Sequence, residues 1–353
     1  MENRRVLLGM SGGVDSSVSA LLLKKQGYDV VGVTLEMFND SSNVSLDAKK
    51  VCEELNIPHY TFSCREIFKK YVIDDFINCY SNCKTPNPCI ECNRYIKFGY
   101  MYEKAKELGC NYIATGHYAK SEYSEEYGRW VIKKSNAGSK DQTYVLWNIE
   151  KEVIEHTIFP LADFENKDEI RKIAKEAGLE VANKPDSEDI CFIPDGNYKF
   201  FLEQNSNIEP KRGNIVKTNG EVLGKHNGLY NYTIGQRKGL GIAYKVPLFV
   251  LGFNEKKNEV IVGEEKELYK REIAVSNINL LLVDKIDKAI EVDVKVRYSS
   301  KSAKATIIQD DNNIKVTFKE PQRAITPGQS AVFYIGDTLL GGGKIICSQE
   351  QNY

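Results

Sequence analysis

The chain predicts an α/β fold: a parallel-sheet domain, then a small β-rich central domain, then a C-terminal β-barrel. Three observations carry this. Residues 1 to about 115 alternate between β-rich runs and helical patterns, the signature of repeated βα units with helices on both faces of a parallel sheet. A Gly-rich turn at residues 9–17 joins the first strand to the first helix. Beyond about residue 205 the chain becomes rich in Gly and short strands. The domain boundaries drawn from these shifts are 1–205, 206–272 and 273–353.

Arg5-Val6-Leu7-Leu8 is an apolar run that reads as a buried strand, and Ser17 to Gln26 clusters Val18, Leu21, Leu22 and Leu23 as on a helix face. Asp29 to Leu35 is β-rich. Ser45 to Leu55 reads as a helix with Ser45 as N-cap. His59 to Ser63 is a short strand, Glu66 to Ser81 and Asn93 to Leu108 are helical, and Gly109 is placed to end the latter. Tyr112 to Thr115 is a further strand. Ala119 to Tyr123 and Arg129 to Ile132 look like a hairpin, Lys140 to Trp147 like a helix, and Lys167 to Ala177 like another. Residues 183–197 are polar, Pro-rich and irregular, with Cys191 in the middle. Glu291 to Tyr298, Ala303 to Ile308, Ile314 to Phe318 and Ser330 to Tyr334 read as barrel strands.

At 353 residues the chain can bury a large core. No apolar run is long enough to span a bilayer, and the first strand begins too early to leave room for a signal peptide. A cytoplasmic protein without a membrane partner is expected. The net charge of −1 excludes an argument for nucleic acid from global charge, so that case rests on local patches. One such patch is residues 211–245, with seven Lys or Arg (211, 212, 217, 225, 237, 238 and 245) against the single acid Glu221, and with Tyr230, Tyr232 and Tyr244 interleaved. Nine cysteines without a secretion signal argue for reduced thiols, metal ligands or catalytic sulfur rather than a disulfide scaffold.

The turn Gly9-Met10-Ser11-Gly12-Gly13-Val14-Asp15-Ser16-Ser17 is built to hold an anion. Glycines let backbone N–H groups approach phosphate, and the helix N-terminus adds positive potential. No Lys follows the glycines, so it is not a Walker A loop, and Gly-x-Gly-x-x-Gly is absent. Ser-Gly-Gly-Val-Asp-Ser resembles the loop of ATP pyrophosphatases, which split ATP into AMP and pyrophosphate. Ligands in parallel sheets bind beyond the carboxyl ends of the strands. That edge should carry this turn, Thr115-Gly116-His117-Tyr118 and Met37.

Sulfur chemistry has two candidate positions. In Thr85-Pro86-Asn87-Pro88-Cys89-Ile90-Glu91-Cys92-Asn93, two prolines stiffen a loop and Cys92 falls just before the helix expected from Asn93. A helix dipole there would lower the thiol's pKa. With Cys79, Cys83 and Cys89, it also makes four cysteines within fourteen residues, which leaves a structural zinc site open. Cys191 is the second position. Asp186, Glu188, Asp189 and Asp195 around it argue against burial.

These blocks, in order, resemble the tRNA-specific 2-thiouridylase family: the loop at 9–17, Thr-Pro-Asn-Pro with Cys92-Asn93 and Ile96-Lys97-Phe98, Thr-Gly-His-Tyr at 115, Lys-Asp-Gln at 140, Asp186-Ser187 with Ile190-Cys191-Phe192-Ile193, and Thr233 to Leu240. The resemblance implies an ATP-pyrophosphatase-type nucleotide-binding domain and ATP-dependent 2-thiolation of the wobble uridine of tRNA. ATP and Mg²⁺ would meet Gly9, Met10, Ser11, Gly12, Gly13, Val14, Asp15, Ser16, Met37 and Gly116, with Asp15 positioning Mg²⁺. Cys191 would carry a persulfide and Cys92 would be the partner thiol, leaving a transient Cys92–Cys191 disulfide. The 183–197 loop would then have to move. Asn87, Pro88 and Cys89 would lie near the target base; His117, Lys140, Asp141, Gln142, Arg297, Tyr298 and Gln329 would contact tRNA. A structural role in its turn is the other reading of His117. The partners implied are tRNAs with Lys, Glu and Gln anticodons and a sulfur donor such as a cysteine desulfurase or sulfur-relay protein. Many members of the family carry Asp where this chain has Cys89. Cys89, Cys92 and Cys191 could therefore instead ligate an iron–sulfur cluster. Another adenylating ligase and a zinc-containing RNA-binding protein are the competing readings.

Overall fold

In the computed structural model, which describes residues 4–38, 42–184 and 190–346, the N-terminal sheet is fully parallel. Its strands are β1 (Arg5–Gly9), β2 (Asp29–Glu36), β3 (His59–Ser63), β4 (Tyr112–Ala114) and, after the hairpin β5 (Ala119–Ser124) and β6 (Arg129–Lys134), β7 (Thr157–Ile158). The spatial order is β3-β2-β1-β4-β7. β1 is central, pairing Val6 with Val30 on one side and Tyr112 on the other. Its apolar run is buried on both faces, as a sheet covered by helices requires.

Local chemistry sets the helix ends. Asn87 caps the helix that begins at Pro88 by accepting the Cys89 N–H (3.2 Å), and Pro at the first helical position needs no donor partner. This helix continues through a π-turned stretch (Asn93–Tyr100) to Glu107, where Gly109 at φ +66° closes it. So the helix starts five residues before the sequence reading. The helix expected from Ser45 starts at Ser42, and Ser45 sits inside it with its hydroxyl 3.3 Å from that of Thr61. Residues 140–147 are not a helix but two 3₁₀ turns, Gly138–Lys140 and Thr143–Val145. Asp141 interrupts the pattern: its carboxylate accepts the Thr143 hydroxyl (2.6 Å) and backbone N–H (3.3 Å) and the Ser135 N–H (3.3 Å).

The central domain is a four-stranded sheet of β8 (Arg212–Lys217), β9 (Val222–Asn227), β10 (Phe249–Asn254) and β11 (Glu259–Gly263). The C-terminal barrel contains β12 (Tyr269–Leu280), β13 (Ile290–Lys295), β14 (Ala303–Asp310), β15 (Asn313–Arg323), β16 (Ser330–Ile335) and β17 (Thr338–Ile346), and β12 closes it by pairing with both β15 and β17. The hairpin β5–β6 joins the barrel through β17. The two domains share one core: Leu7, Ile113 and Phe98 pack with Tyr144 and Trp147 and with barrel residues Val332, Tyr334 and Leu339. The barrel is thereby fixed to the parallel-sheet domain through a shared core.

Candidate active site

The Gly-rich turn is held by its own serines. Ser16, 3% exposed, accepts the Ser11 N–H (3.2 Å) and donates to the Gly13 carbonyl (3.1 Å), and Ser17 donates to the same carbonyl (2.8 Å). Gly12 takes φ +66°, which an L side chain tolerates poorly. Gly116 comes from the neighbouring strand end; a Cβ there would lie 3.1 Å from the Asp15 carbonyl carbon and the Ser16 nitrogen. The Gly-rich turn, Gly116 and Tyr118 therefore meet on one edge, as expected. Asp15 projects from the first helical turn, where the Tyr118 hydroxyl donates to one carboxylate oxygen (2.9 Å) and Lys167 Nζ to the other (2.9 Å). Lys184 Nζ donates to the Gly12 carbonyl (3.0 Å) and pairs with Asp47. The sequence reading did not single out Lys167 or Lys184, because no local spacing ties either lysine to a loop more than 150 residues earlier.

Cys92 and Cys191 come together. Cys92 is buried in an apolar cluster with Cys64, Phe68, Phe76, Ile96, Phe192 and Ile193, and its Sγ lies 4.0 Å from Met37 Sδ. Phe192 anchors the second cysteine: its ring packs against Phe68 (5.7 Å), Phe76 (5.4 Å) and Phe201 (5.2 Å), which leaves Cys191 exposed beside the buried cluster. The Cys92 thiol lies in the field of Cys191, and both thiols lie in that of Cys89. Burial pushes the Cys92 thiol up to about 12, against the lowering pull of Lys97. The expectation of a lowered pKa at Cys92 is thus overturned: the helix starts at Pro88, and the exposed Cys89 occupies its first turn. Packing of neighbouring groups also raises the Cys191 thiol, again against Lys97. Lys97 favours ionisation of both sulfurs, a role its place in the sequence did not reveal. Asp186, Glu188 and Asp189 lie outside the described residues.

Cys79 is buried with Sγ 3.9 Å from Asp75 Oδ2, and among the described residues no group of three His, Cys, Asp or Glu is gathered to hold a metal. As placed, Cys89, Cys92 and Cys191 do not form a cluster-ligating set either.

The expected tRNA residues divide. Tyr298 is 41% exposed, edge-on to Tyr144 (6.0 Å), and lies in the field of Asp141 and Cys89. Arg297 is half-buried and donates to the Ala324 carbonyl. Lys140 is exposed. Others hold the frame. Gln142 accepts the Tyr118 N–H (3.0 Å) and returns its own N–H to the Tyr118 carbonyl (2.9 Å). His117 is 9% exposed, bonded to Thr115 Oγ1 (2.8 Å) and packed by Phe98 and Phe159, so it braces the turn rather than facing outward. Gln329 reaches from the barrel to the Pro-stiffened loop, donating to the carbonyls of Thr85 (2.9 Å) and Pro86 (3.0 Å). In the basic stretch, Lys211, Arg212, Arg237, Lys238 and Lys245 are exposed without a carboxylate partner among the described residues.

Comparison with known proteins follows the same division of the chain. Residues 4–195 match the family described as tRNA methyl transferase HUP domain, residues 199–264 its PRC-barrel domain, and residues 270–345 the aminomethyltransferase beta-barrel domain. The chain is 47% identical over 355 residues to the tRNA-specific 2-thiouridylase MnmA of Clostridioides difficile, covering 97% of this chain and 98% of that one. It is 50% identical to that of Clostridium acetobutylicum (97% and 99% covered) and 44% identical to that of Acetivibrio thermocellus (98% and 100%). No described helix is long and apolar enough to cross a membrane. A Gly-rich strand-to-helix turn, Cys191 brought to the cluster that buries Cys92, and relatives matched from end to end lead to one conclusion: the chain belongs to the tRNA-specific 2-thiouridylase family.

Proposed function

We propose that this enzyme thiolates the wobble uridine of tRNA by adenylation followed by persulfide transfer between Cys191 and Cys92. The uracil C2 oxygen is a poor leaving group. Its attack on the α-phosphorus of ATP expels pyrophosphate and turns it into part of AMP, a good one. The Gly9–Ser16 turn holds the phosphates through backbone N–H groups. Asp15, whose two carboxylate oxygens are oriented by Tyr118 and Lys167, would hold the Mg²⁺ bound with ATP, and that ion would supply neutralisation of phosphate charge.

The terminal sulfur of a Cys191 persulfide then attacks C2, and AMP leaves with the former C2 oxygen. Cys92 attacks Cys191 Sγ, breaking the bond to the transferred sulfur. The products are 2-thiouridine and a Cys92–Cys191 disulfide, which an external thiol reduces before the next turnover. A persulfide ionises more readily than a thiol, so it suits the exposed position. Cys92 rests as a neutral thiol, and it reacts once its proton is lost under the influence of Lys97. Asn87, Pro88 and Cys89 border the flipped base, while Lys140, Arg297, Tyr298 and the exposed cations of residues 211–245 meet the RNA. The tRNAs are those with Lys, Glu and Gln anticodons, and the sulfur comes from a cysteine desulfurase or relay protein.

The observation that carries this reading is the approach of Cys191 to Cys92, about a hundred residues away in the chain: Phe192 and Ile193 pack in the cluster that buries Cys92, and Cys191 contributes to the field at the Cys92 thiol. The iron–sulfur route lacks a gathered ligand set, and no step is drawn through it. The test is mass spectrometry of tRNA nucleosides after incubation with ATP, Mg²⁺ and a persulfide source. Wild type should form 2-thiouridine, and Cys92→Ser and Cys191→Ser should not. An active Cys191→Ser enzyme overturns the proposal, and iron-dependent activity after anaerobic purification overturns its persulfide step.

A further inference from the structure

A third thiol, Cys89, contributes to the field at both Cys92 and Cys191. It precedes Cys92 by three residues within one helix, and the Asn93 N–H donates to the Cys89 carbonyl, closing the turn that holds both cysteines. Residues three apart on a helix share a face, so the two side chains are neighbours. Their exposure is opposite: Cys89 faces solvent, whereas Cys92 is 7% exposed within its apolar cluster. The exposed thiol is also held in place. Pro88 precedes it, and Asn87 Oδ1 accepts its N–H (3.2 Å). Cys-x-x-Cys is the spacing of a redox-active dithiol. Here its first member meets solvent and its second meets the sulfur-transfer site.

We infer that Cys89 resolves the Cys92–Cys191 disulfide left by sulfur transfer, passing it to a Cys89–Cys92 pair that an external dithiol reduces at Cys89. The step balances without an added oxidant. Cys89 gives its proton to solvent and its thiolate attacks Cys92 Sγ. A Cys89–Cys92 bond forms, the Cys92–Cys191 bond breaks, and the electron pair leaves on Cys191 Sγ, which takes up a proton. In such an exchange the better-stabilised thiolate is the better leaving group. Cys191 is exposed and Cys92 sits among apolar side chains, so Cys191 leaves and is free to be loaded again. Direct attack by an external thiol on Cys191 would instead expel Cys92, whose thiolate the apolar cluster stabilises poorly. The external dithiol attacks the exposed Cys89 Sγ, returns both cysteines to thiols and is itself oxidised to a disulfide. Cys64 also lies in the field of Cys92, but it is 2% exposed and its Sγ donates to the Glu36 carbonyl (3.4 Å), so it does not meet an external reductant. The inference rests on the proposed persulfide transfer.

The test is peptide mass spectrometry of disulfides after one turnover of persulfide-loaded enzyme on tRNA with ATP and Mg²⁺, without reductant and with free thiols alkylated on quenching. Wild type should carry Cys89–Cys92 with Cys191 alkylated, and Cys89→Ser should stop at Cys92–Cys191. Wild type that forms 2-thiouridine but keeps Cys92–Cys191 overturns the inference and leaves the sulfur transfer standing. 2-Thiouridine formed without any protein disulfide overturns both. A second measurement needs no turnover. Cys191→Ser, equilibrated in glutathione redox buffers, should form Cys89–Cys92 in a single two-electron transition. A variant that instead stays reduced, or stops at glutathione on Cys89, overturns the inference.

Discussion

Gln329, in the barrel, holds the loop of Thr85 and Pro86 that leads to Cys89 and Cys92, donating to both carbonyls from a distance of 2.9 and 3.0 Å. The clasp is mutual. The Thr85 N–H donates to the Pro327 carbonyl (2.9 Å), and Gly328 leaves no room for a side chain, since a Cβ would sit 2.9 Å from Lys84 Cβ. The barrel thus positions the thiol loop. Gln329→Ala should leave two part-buried carbonyls without their donor, at a cost of about 1–3 kcal/mol. It should also lower the thiolation rate at saturating ATP and tRNA. Denaturant midpoints and single-turnover rates check this; a destabilised variant with the wild-type rate would reduce the clasp to a purely structural contact.

The buried ion pair behind the same loop predicts a larger effect. Glu91 is 7% exposed and next in sequence to Cys92, and Lys344 of the barrel is its cation. Burial raises the Glu91 pKa although Lys344 pulls it down. Removing the cation in Lys344→Met strands Glu91 and Asp75, so a loss of roughly 3–5 kcal/mol is expected. The sign with pH follows. A carboxyl with a raised folded-state pKa binds protons more tightly when folded, so its contribution falls as pH rises above its ordinary value near 4.5. Lys344→Met should therefore lose more stability at pH 7 than at pH 5, and Glu91→Gln added to it should recover most of the loss at pH 7. Urea midpoints at the two pH values decide; equal losses would mean that Glu91 is not the stranded charge.

What the sequence made legible follows chain distance. The phosphate turn was readable because strand, glycines and helix are contiguous, and the serines that brace it lie within the same nine residues. Cys191 was readable as exposed because its neighbours are polar. The burial of Cys92 was not, because it depends on Phe68 and Phe76 from one other helical stretch and Phe192 from a loop about a hundred residues on. The helix expected at 140–147 failed for a local reason. Its apolar spacing is real, but Asp141 bonds the backbone of Thr143 and Ser135 and breaks the helix, while Tyr144 and Trp147 are buried in the core shared with the barrel. Gln329 was readable only through the family resemblance, and neither its bonds to Thr85 and Pro86 nor the pairing of Lys344 with Glu91 carries a sequence signal until the barrel is closed against the sheet.

His117 gives a stability profile with the opposite sign. Its ring is buried, and burial holds its pKa well below the usual 6.5, with Lys97 adding to the shift. The unfolded chain takes up a proton that the folded chain refuses. Stability from this group is complete above about 6.5 and falls as pH drops toward the folded value, by about 1.4 kcal/mol per pH unit for one full proton. His117→Asn should remove that share of the slope between pH 6.5 and 5.5. The remaining slope would come from groups such as His59 and His226, which burial also lowers. Urea midpoints across this range check it, and an unchanged slope in His117→Asn would show that the ring takes its proton within the fold.

Cys92 tests the resting state of the sulfur machinery. A thiol pushed up to about 12 is almost wholly protonated at neutral pH, and alkylation proceeds through the thiolate. Iodoacetamide labelling of Cys92, read by peptide mass spectrometry, should be slow at pH 7 and rise about tenfold per pH unit up to pH 9 without a plateau. Replacing the cation that lowers it, in Lys97→Met, should slow the labelling further at every pH. Adding ATP and tRNA to wild type should accelerate it, because the proposed attack on Cys191 would require Cys92 to lose its proton during turnover. Labelling that levels off below pH 9 would mean that Cys92 ionises in the resting enzyme, so that Lys97 and not burial dominates its field. In that case the order of events reverses, and Cys92 would be poised before sulfur arrives.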